Sequence, residues 1–212
     1  MIAIIDYGMG NLRSVQKAIE HVGGEASITN NLKEIGKAQA IVLPGVGAFG
    51  EAMRRLNELK LIDPLRHLFN PMTGIPAKPF LGICLGFQLL YESSEEDPKV
   101  EGLGVFNGVV KKFSGKPFKS GLLKVPHMGW NTLLKKTSQP WLKDLQAEDR
   151  FYFVHSYYVA PKQKSNIALT CHYGIDFCAA VGGDNYLASQ FHPEKSGEVG
   201  LRLLKNFVQE IR

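Results

Sequence analysis

The apolar positions change period along the chain. Ile2-Ala3-Ile4-Ile5 is a short continuous apolar run that breaks at Asp6-Tyr7-Gly8-Met9-Gly10-Asn11, the pattern of a parallel strand buried on both faces. Leu12, Val15, Ala18, Ile19 and Val22 then recur at helical spacing, and Gly23-Gly24 stops the helix. Ala26 to Thr29 reads as a weak second strand. Ala40-Ile41-Val42-Leu43 is a clear third, cut by Pro44-Gly45-Val46-Gly47. Helical patterns follow over residues 49–59 and 61–69, then a strand at Pro79-Phe80-Leu81-Gly82-Ile83 and a helix over 85–91. Strand–helix alternation with short connections predicts a parallel sheet with helices on both faces.

From residue 105 the pattern is that of β structure. Residues 105–113, 122–125, 151–154, 167–172, 179–181 and 186–190 read as strands between turn-rich stretches, as antiparallel additions feeding back into the sheet. Residues 197–211 close the chain as an amphipathic helix, with Val199, Leu203, Phe207 and Ile211 on one stripe. No repeat, low-complexity tract or linker interrupts the chain. The expected fold is a single α/β domain over 1–212, with a mostly parallel central sheet flanked by helices and antiparallel β additions in the second half.

Composition narrows the class of protein. With 212 residues, 44% hydrophobic and 21% charged, the chain has the make-up of a globular domain. At this length about 70% of the unfolded surface is buried, so no disulfide or metal staple is required. Three Cys without framework spacing read as reduced thiols of a cytoplasmic protein. No apolar run reaches the roughly 18 residues of a membrane span, and with a strand reading directly after Met1 no signal peptide is expected.

Charge is uneven. Residues 1–106 carry a net −2 and residues 107–212 a net +7, and no acidic residue lies between Glu101 and Asp144. Lys111, Lys112, Lys116, Lys119, Lys124, Lys135 and Lys136 fall in that stretch, as a solvated β face or a surface for an acidic partner. They are not interleaved with stacking aromatics, which argues against nucleic acid.

Chemistry is carried first by Gly82-Ile83-Cys84-Leu85-Gly86. Glycines two residues either side of a nucleophile, at a strand-to-helix junction, make the thiol form of a nucleophile elbow. The turn exposes the sulfur, aims the next helix's N-terminus at it, and offers the Leu85 N–H to an oxyanion. Phe191-His192-Pro193-Glu194 follows another strand, so an extended continuation would put His192 and Glu194 on one side. His192 is then the general base and acid for Cys84, and Glu194 fixes its tautomer. Pro44-Gly45-Val46-Gly47 ends a third strand and lets backbone amides approach a ligand as a second oxyanion donor.

Other motifs fall short. Gly8-Met9-Gly10 lacks the third glycine of a dinucleotide fingerprint, so no cofactor is expected there. Cys171, His172 and Cys178 lack zinc spacing, so no metal is expected. His21 and His67 read as surface or packing residues of helices.

Gly82-Ile83-Cys84-Leu85-Gly86-Phe87-Gln88 together with His192-Pro193-Glu194 resembles the class I, triad-type glutamine amidotransferases. More narrowly, the chain is similar to the glutaminases of that family that serve histidine biosynthesis. This rests on residues 6–12, on Pro44-Gly45-Val46-Gly47-Ala48-Phe49 and on Pro126-His127-Met128-Gly129-Trp130-Asn131. It rests also on Val154-His155-Ser156-Tyr157-Tyr158 and His192-Pro193-Glu194-Lys195-Ser196.

The resemblance implies a catalytic triad of Cys84, His192 and Glu194, with an oxyanion hole from Leu85 and the Val46–Gly47 peptide. Glutamine would be held by Gly47 and Gln88 and by the backbone of Ser156 and Tyr157. Asn11, Trp130 and Lys195 would face a cyclase partner, a (β/α)8 barrel that receives ammonia. Phe87 and Asn107 depart from residues common in relatives, at positions with little bearing on the site. Alternatives within this reading are the glutaminase of another amidotransferase, for pyridoxal phosphate or anthranilate synthesis, a peptidase or γ-glutamyl hydrolase on the same fold, and a non-catalytic regulatory subunit.

Overall fold

A computed structural model describes residues 1–69 and 78–211. In chain order the elements are β1 (Ile2–Ile5), α1 (Leu12–His21), β2 (Ala26–Thr29), α2 (Leu32–Lys37), β3 (Ala40–Gly45), α3 (Phe49–Glu58) and α4 (Ile62–Phe69). They continue with β4 (Phe80–Cys84), α5 (Leu85–Gln88), β5 (Tyr91–Ser94), β6 (Phe106–Lys112), α6 (Lys116–Lys119), β7 (His127–Thr132) and β8 (Leu134–Lys135). The chain closes with β9 (Arg150–His155), β10 (Tyr157–Pro161), β11 (Ile167–His172), β12 (Asp176–Gly183), β13 (Tyr186–Ser189) and α7 (Gly197–Glu210).

The main sheet has the order β2-β1-β3-β4-β13-β12-β10-β6-β5, with β11 and β8 joined beyond β12. Its first five strands run parallel. From β12 onward the additions are antiparallel, apart from the parallel pair β5–β6. The mostly parallel sheet with antiparallel additions is therefore as expected.

Period-two alternation divides the core. Ile2, Ile4, Ala40, Val42, Leu81 and Ile83 face α1 and α7, against Val15, Ile19, Leu203, Leu204 and Phe207. Ala3, Ile5, Ile41, Leu43 and Phe80 face the opposite side, against Ile35 of α2, Met53 and Leu56 of α3 and Leu65 of α4. Strands covered on both faces have no polar side, which is why they read as unbroken apolar runs.

Three expectations about secondary structure and pairing in the fold differ from the structure. The helix expected over 85–91 is a single turn, α5, and Tyr91 opens β5, which pairs with β6. Leu89 and Leu90 are buried like helix residues, so their apolarity could not show where the turn ends. Residues 122–125 form no strand. Leu122 is 79% exposed beside Gly121, whose φ of +76° breaks extended pairing. Finally, not every addition feeds back into the main sheet, because β7 and β9 pair only with each other.

Candidate active site

Three parallel strands carry the site. In register, Gly45 at the end of β3 lies beside Cys84 at the end of β4, and Ser189 at the end of β13 lies beside Ile83. Their carboxyl ends coincide, so the loops that follow converge on one edge, where open α/β sheets place ligands.

Cys84 is strained. Its φ of 54° and ψ of −109° lie outside the regions a non-glycine residue favours, a conformation that costs of order 1–3 kcal/mol. Of the flanking glycines, Gly86 is a steric requirement, as expected, and Gly82 is tightly packed. A Cβ on Gly86 would fall 1.8 Å from the Leu43 carbonyl oxygen, and one on Gly82 would fall 3.0 Å from the Ala188 Cβ. Because α5 is one turn long, its dipole is a smaller contribution than a full helix would make.

His192 Nδ1 and Glu194 Oε1 are 2.8 Å apart, with both side chains 2% exposed. The chain between them is not extended as expected. Residues 193–195 form a 3-10 turn, with Pro193 at its start and His192 extended before it. The turn curls the carboxylate back onto the ring. His192 Nε2 is buried on the other side of the ring, without a hydrogen bond of ordinary geometry. Burial by itself would lower the His192 imidazole, but Cys84 and Glu194, through hydrogen bonding and charge, outweigh it and push it up to about 9.

The His192 segment is strapped to β9. The His192 N–H donates to the Tyr152 carbonyl at 2.9 Å. Ser196 Oγ donates to the His192 carbonyl at 2.6 Å and accepts from the Tyr152 N–H at 3.0 Å.

Val46, Gly47, Cys84, Leu85, Gln88, Glu96, Val154, His155 and Tyr157 line a pocket of about 190 Å³. That is below the roughly 300–1,000 Å³ of drug-sized sites and suits a small ligand. Gly47 has φ +105°, a conformation that favours glycine. Ser156 has its carbonyl taken by the Phe113 N–H. Asn11 is exposed and Lys195 half-buried. Trp130 is 52% exposed and packs edge-on against Tyr152, whose ring centroid lies 6.5 Å from that of His192.

The sequence reading missed several neighbours of the sulfur. Tyr7 Oη donates to the Pro44 carbonyl at 2.8 Å and pins the end of β3. Burial, with the charge of Cys84 adding to it, holds its phenol well above the usual range. Glu96 lines the pocket and accepts from the Phe49 N–H at 2.8 Å, at the start of α3. Gln190 Nε2 approaches Cys84 Sγ at 3.7 Å. Only Gln190 had a local signal, since it lies two residues before His192.

The described residues contain no group of three or more His, Cys, Asp or Glu placed to hold a metal ion. They contain no helix long and apolar enough to cross a membrane.

Residues 3–211 match the glutamine amidotransferase class-I family, and the chain belongs to that family. Its fold is shared by a crystal structure of a glutamine amidotransferase, with TM-score 0.70 at 18% identity over 100% of this chain and 99% of that one. The structure of PurLQS from Thermotoga maritima gives TM-score 0.67 at 19% identity, over 99% and 96%. Sequence similarity is narrower. The chain is 50% identical to the imidazole glycerol phosphate synthase subunit HisH of Acinetobacter baylyi, over 98% of this chain and 97% of that protein. It is 50% identical to the HisH subunit of Geobacter sulfurreducens, over 97% of each. Within the class-I amidotransferases it belongs with the HisH family.

Proposed function

We propose that the chain is the glutaminase subunit of an imidazole glycerol phosphate synthase, acting in the cytoplasm as a single catalytic domain over 1–212. It hydrolyses L-glutamine to glutamate and passes ammonia to a cyclase subunit, which forms imidazole glycerol phosphate and AICAR. The observation that carries this reading is the buried His192–Glu194 pair at 2.8 Å beside a cysteine held at positive φ on a strand-to-helix turn.

In the proposed reaction the Cys84 thiolate attacks the side-chain carboxamide carbon of glutamine. The C–S bond forms and the carbonyl electron pair moves to oxygen, where the Leu85 N–H and the Val46–Gly47 peptide stabilise the oxyanion. The tetrahedral adduct collapses, and His192 supplies the proton on which ammonia departs. His192 then takes a proton from water, which hydrolyses the glutamyl thioester and returns the thiol. Glu194 orients His192 and stabilises its imidazolium. Gly47, Gln88 and the backbone of Ser156 and Tyr157 hold the amino-acid end of glutamine.

Ammonia released to bulk water would be protonated and lost, so the site calls for a partner face. Asn11, Trp130 and Lys195 are assigned to the cyclase (β/α)8 barrel. Trp130 and Met128, 52% and 62% exposed on β7, give that face an apolar centre.

The test is glutamate formation from glutamine by the chain alone, then with the cyclase partner and its nucleotide ligand. Strong stimulation is expected. Equal rates in both would overturn the partner assignment, and no glutamate in either would overturn the enzyme reading. Cys84→Ala is expected to lower turnover at least about a thousandfold while leaving partner binding intact.

A further inference from the structure

The sulfur of Cys84 has a neighbour that the mechanism above does not use. Gln190 is fully buried just beyond β13, and its Nε2 lies 3.7 Å from Sγ. An amide can be turned over to present oxygen instead, so the direction of this contact depends on its other partners.

Those partners leave one arrangement. The Tyr157 carbonyl can only accept. Gln88 meets it at 3.0 Å and must do so with Nε2. The same Nε2 lies 3.0 Å from the Gln190 side chain, which therefore turns Oε1 to Gln88 and Nε2 to the sulfur.

The carbonyl orders a second branch in the same way. His155 Nδ1 meets it at 2.8 Å and must carry the proton, which leaves His155 Nε2 as an acceptor. His127 Nδ1, 3.0 Å away, then donates, and its Nε2 accepts from Asn131 Nδ2 at 3.3 Å. Burial pushes the His127 and His155 imidazoles down to about 4 and about 3. Both rings are neutral at physiological pH, so the branch keeps its direction.

We propose that Gln190 is a residue of the reaction site, donating from Nε2 to Cys84 Sγ and held in that orientation through Gln88 by the Tyr157 carbonyl. A donor to sulfur strengthens as the sulfur gains charge, so it favours the thiolate and fixes its position for attack. Both amide hydrogens of Gln88 are engaged, so Gln88 offers an incoming substrate an acceptor only. This inference rests on the reading of Cys84 as the nucleophile.

The test pairs two measurements on the wild type and on Gln190→Met and Gln190→Glu. One is the pH dependence of Cys84 alkylation by iodoacetamide, read by mass spectrometry, with Cys84→Ala giving the background from Cys171 and Cys178. The other is kcat and KM for glutamine in the complex with the cyclase partner. The other ionisable groups around the sulfur are Tyr7, His192 with Glu194 behind it, and Glu96 and His155 across the pocket. None of them is altered in these variants.

Gln190→Met keeps the length of the side chain and removes the donor. Gln190→Glu keeps the acceptor for Gln88 and puts a carboxylate where the donor was. If the first does not fold, the second carries the test. The alkylation midpoint is expected to rise by about one pH unit or more, with kcat falling roughly 10- to 100-fold, the size of a lost hydrogen bond to a charged group, and KM changing far less. A folded variant with wild-type midpoint and kcat overturns the proposal. If instead Cys84→Ala still forms glutamate, the nucleophile reading itself has failed, whatever the Gln190 variants do.

Discussion

The Ser196 hydroxyl closes a bridge over His192: it donates to the His192 carbonyl at 2.6 Å and accepts from the Tyr152 N–H of β9 at 3.0 Å. His192 is thereby tied to the two-stranded β7–β9 sheet, which carries Trp130, as well as to the main sheet. Its ring Nδ1 is held by Glu194, 2.8 Å away.

That pair sets a pH limit on stability. The His192 imidazole, raised to about 9 in the folded chain, has an ordinary value near 6.5 when unfolded. The folded state binds the extra proton between those values, so the stabilisation is complete below about pH 6.5 and is lost as pH rises through 9. The loss is of order 3 kcal/mol. Glu194→Gln is expected to flatten this alkaline limb and move the His192 NMR titration midpoint downward. An unchanged midpoint would show that Glu194 does not set the ring.

The acid limb belongs to His127 and His155. Their folded values, about 4 and about 3, lie below the ordinary value, so the unfolded chain binds more protons as pH falls below about 6.5. Stability should therefore fall from pH 6.5 toward 4, at up to roughly 2.7 kcal/mol per pH unit for two protons. His127→Gln should halve that slope in urea titrations at stepped pH. An unaltered slope would mean that these rings do not control acid unfolding.

Two glycines should respond in opposite directions to alanine. At Gly86 the new Cβ would sit 1.8 Å from the Leu43 carbonyl oxygen, and a backbone atom cannot swing aside. Gly86→Ala is expected to cost about 3 kcal/mol or more and to remove glutaminase activity. Gly36, on α2, has open space where a Cβ would go, and Gly36→Ala should stabilise by roughly 0.4–1 kcal/mol. Denaturant midpoints decide both, and a tolerated Gly86→Ala would contradict the elbow geometry.

Trp130 separates folding from association. It is 52% exposed and touches Tyr152 edge-on, so Trp130→Ala should change stability by no more than about 0.5 kcal/mol. At the centre of an interface, losing a tryptophan costs about 2 kcal/mol or more. Calorimetric titration with the cyclase partner checks this, and wild-type affinity would place the interface elsewhere.

Much of the architecture was legible in the chain because its signals are local. Ile2 to Ile5, Ala40 to Leu43 and Phe80 to Ile83 are apolar without interruption, as strands covered on both faces must be. Gly82, Cys84 and Gly86 carry their own steric signature, and the Gly86 clash is visible in its spacing before any coordinate. His192 and Glu194 stand two residues apart, so their meeting required only a bend.

Long-range contacts settle what no local pattern encodes. The end of α5 at Gln88 follows from the pairing of β5 with the distant β6, and an apolar Leu89-Leu90 is compatible with helix or strand. The separation of β7 and β9 from the main sheet is a choice of partner, which alternation along one strand cannot express. The bond from Gln88 to Gln190 spans residues 102 apart, and the contact with Cys84 spans 106. A buried amide finds its partner only once parallel strands have brought their carboxyl ends together. The elbow, the triad candidates and the layered fold can be read from the chain alone, because they depend on near neighbours and on burial. The direction of the polar line into the sulfur depends on one carbonyl, Tyr157, which any residue could have supplied.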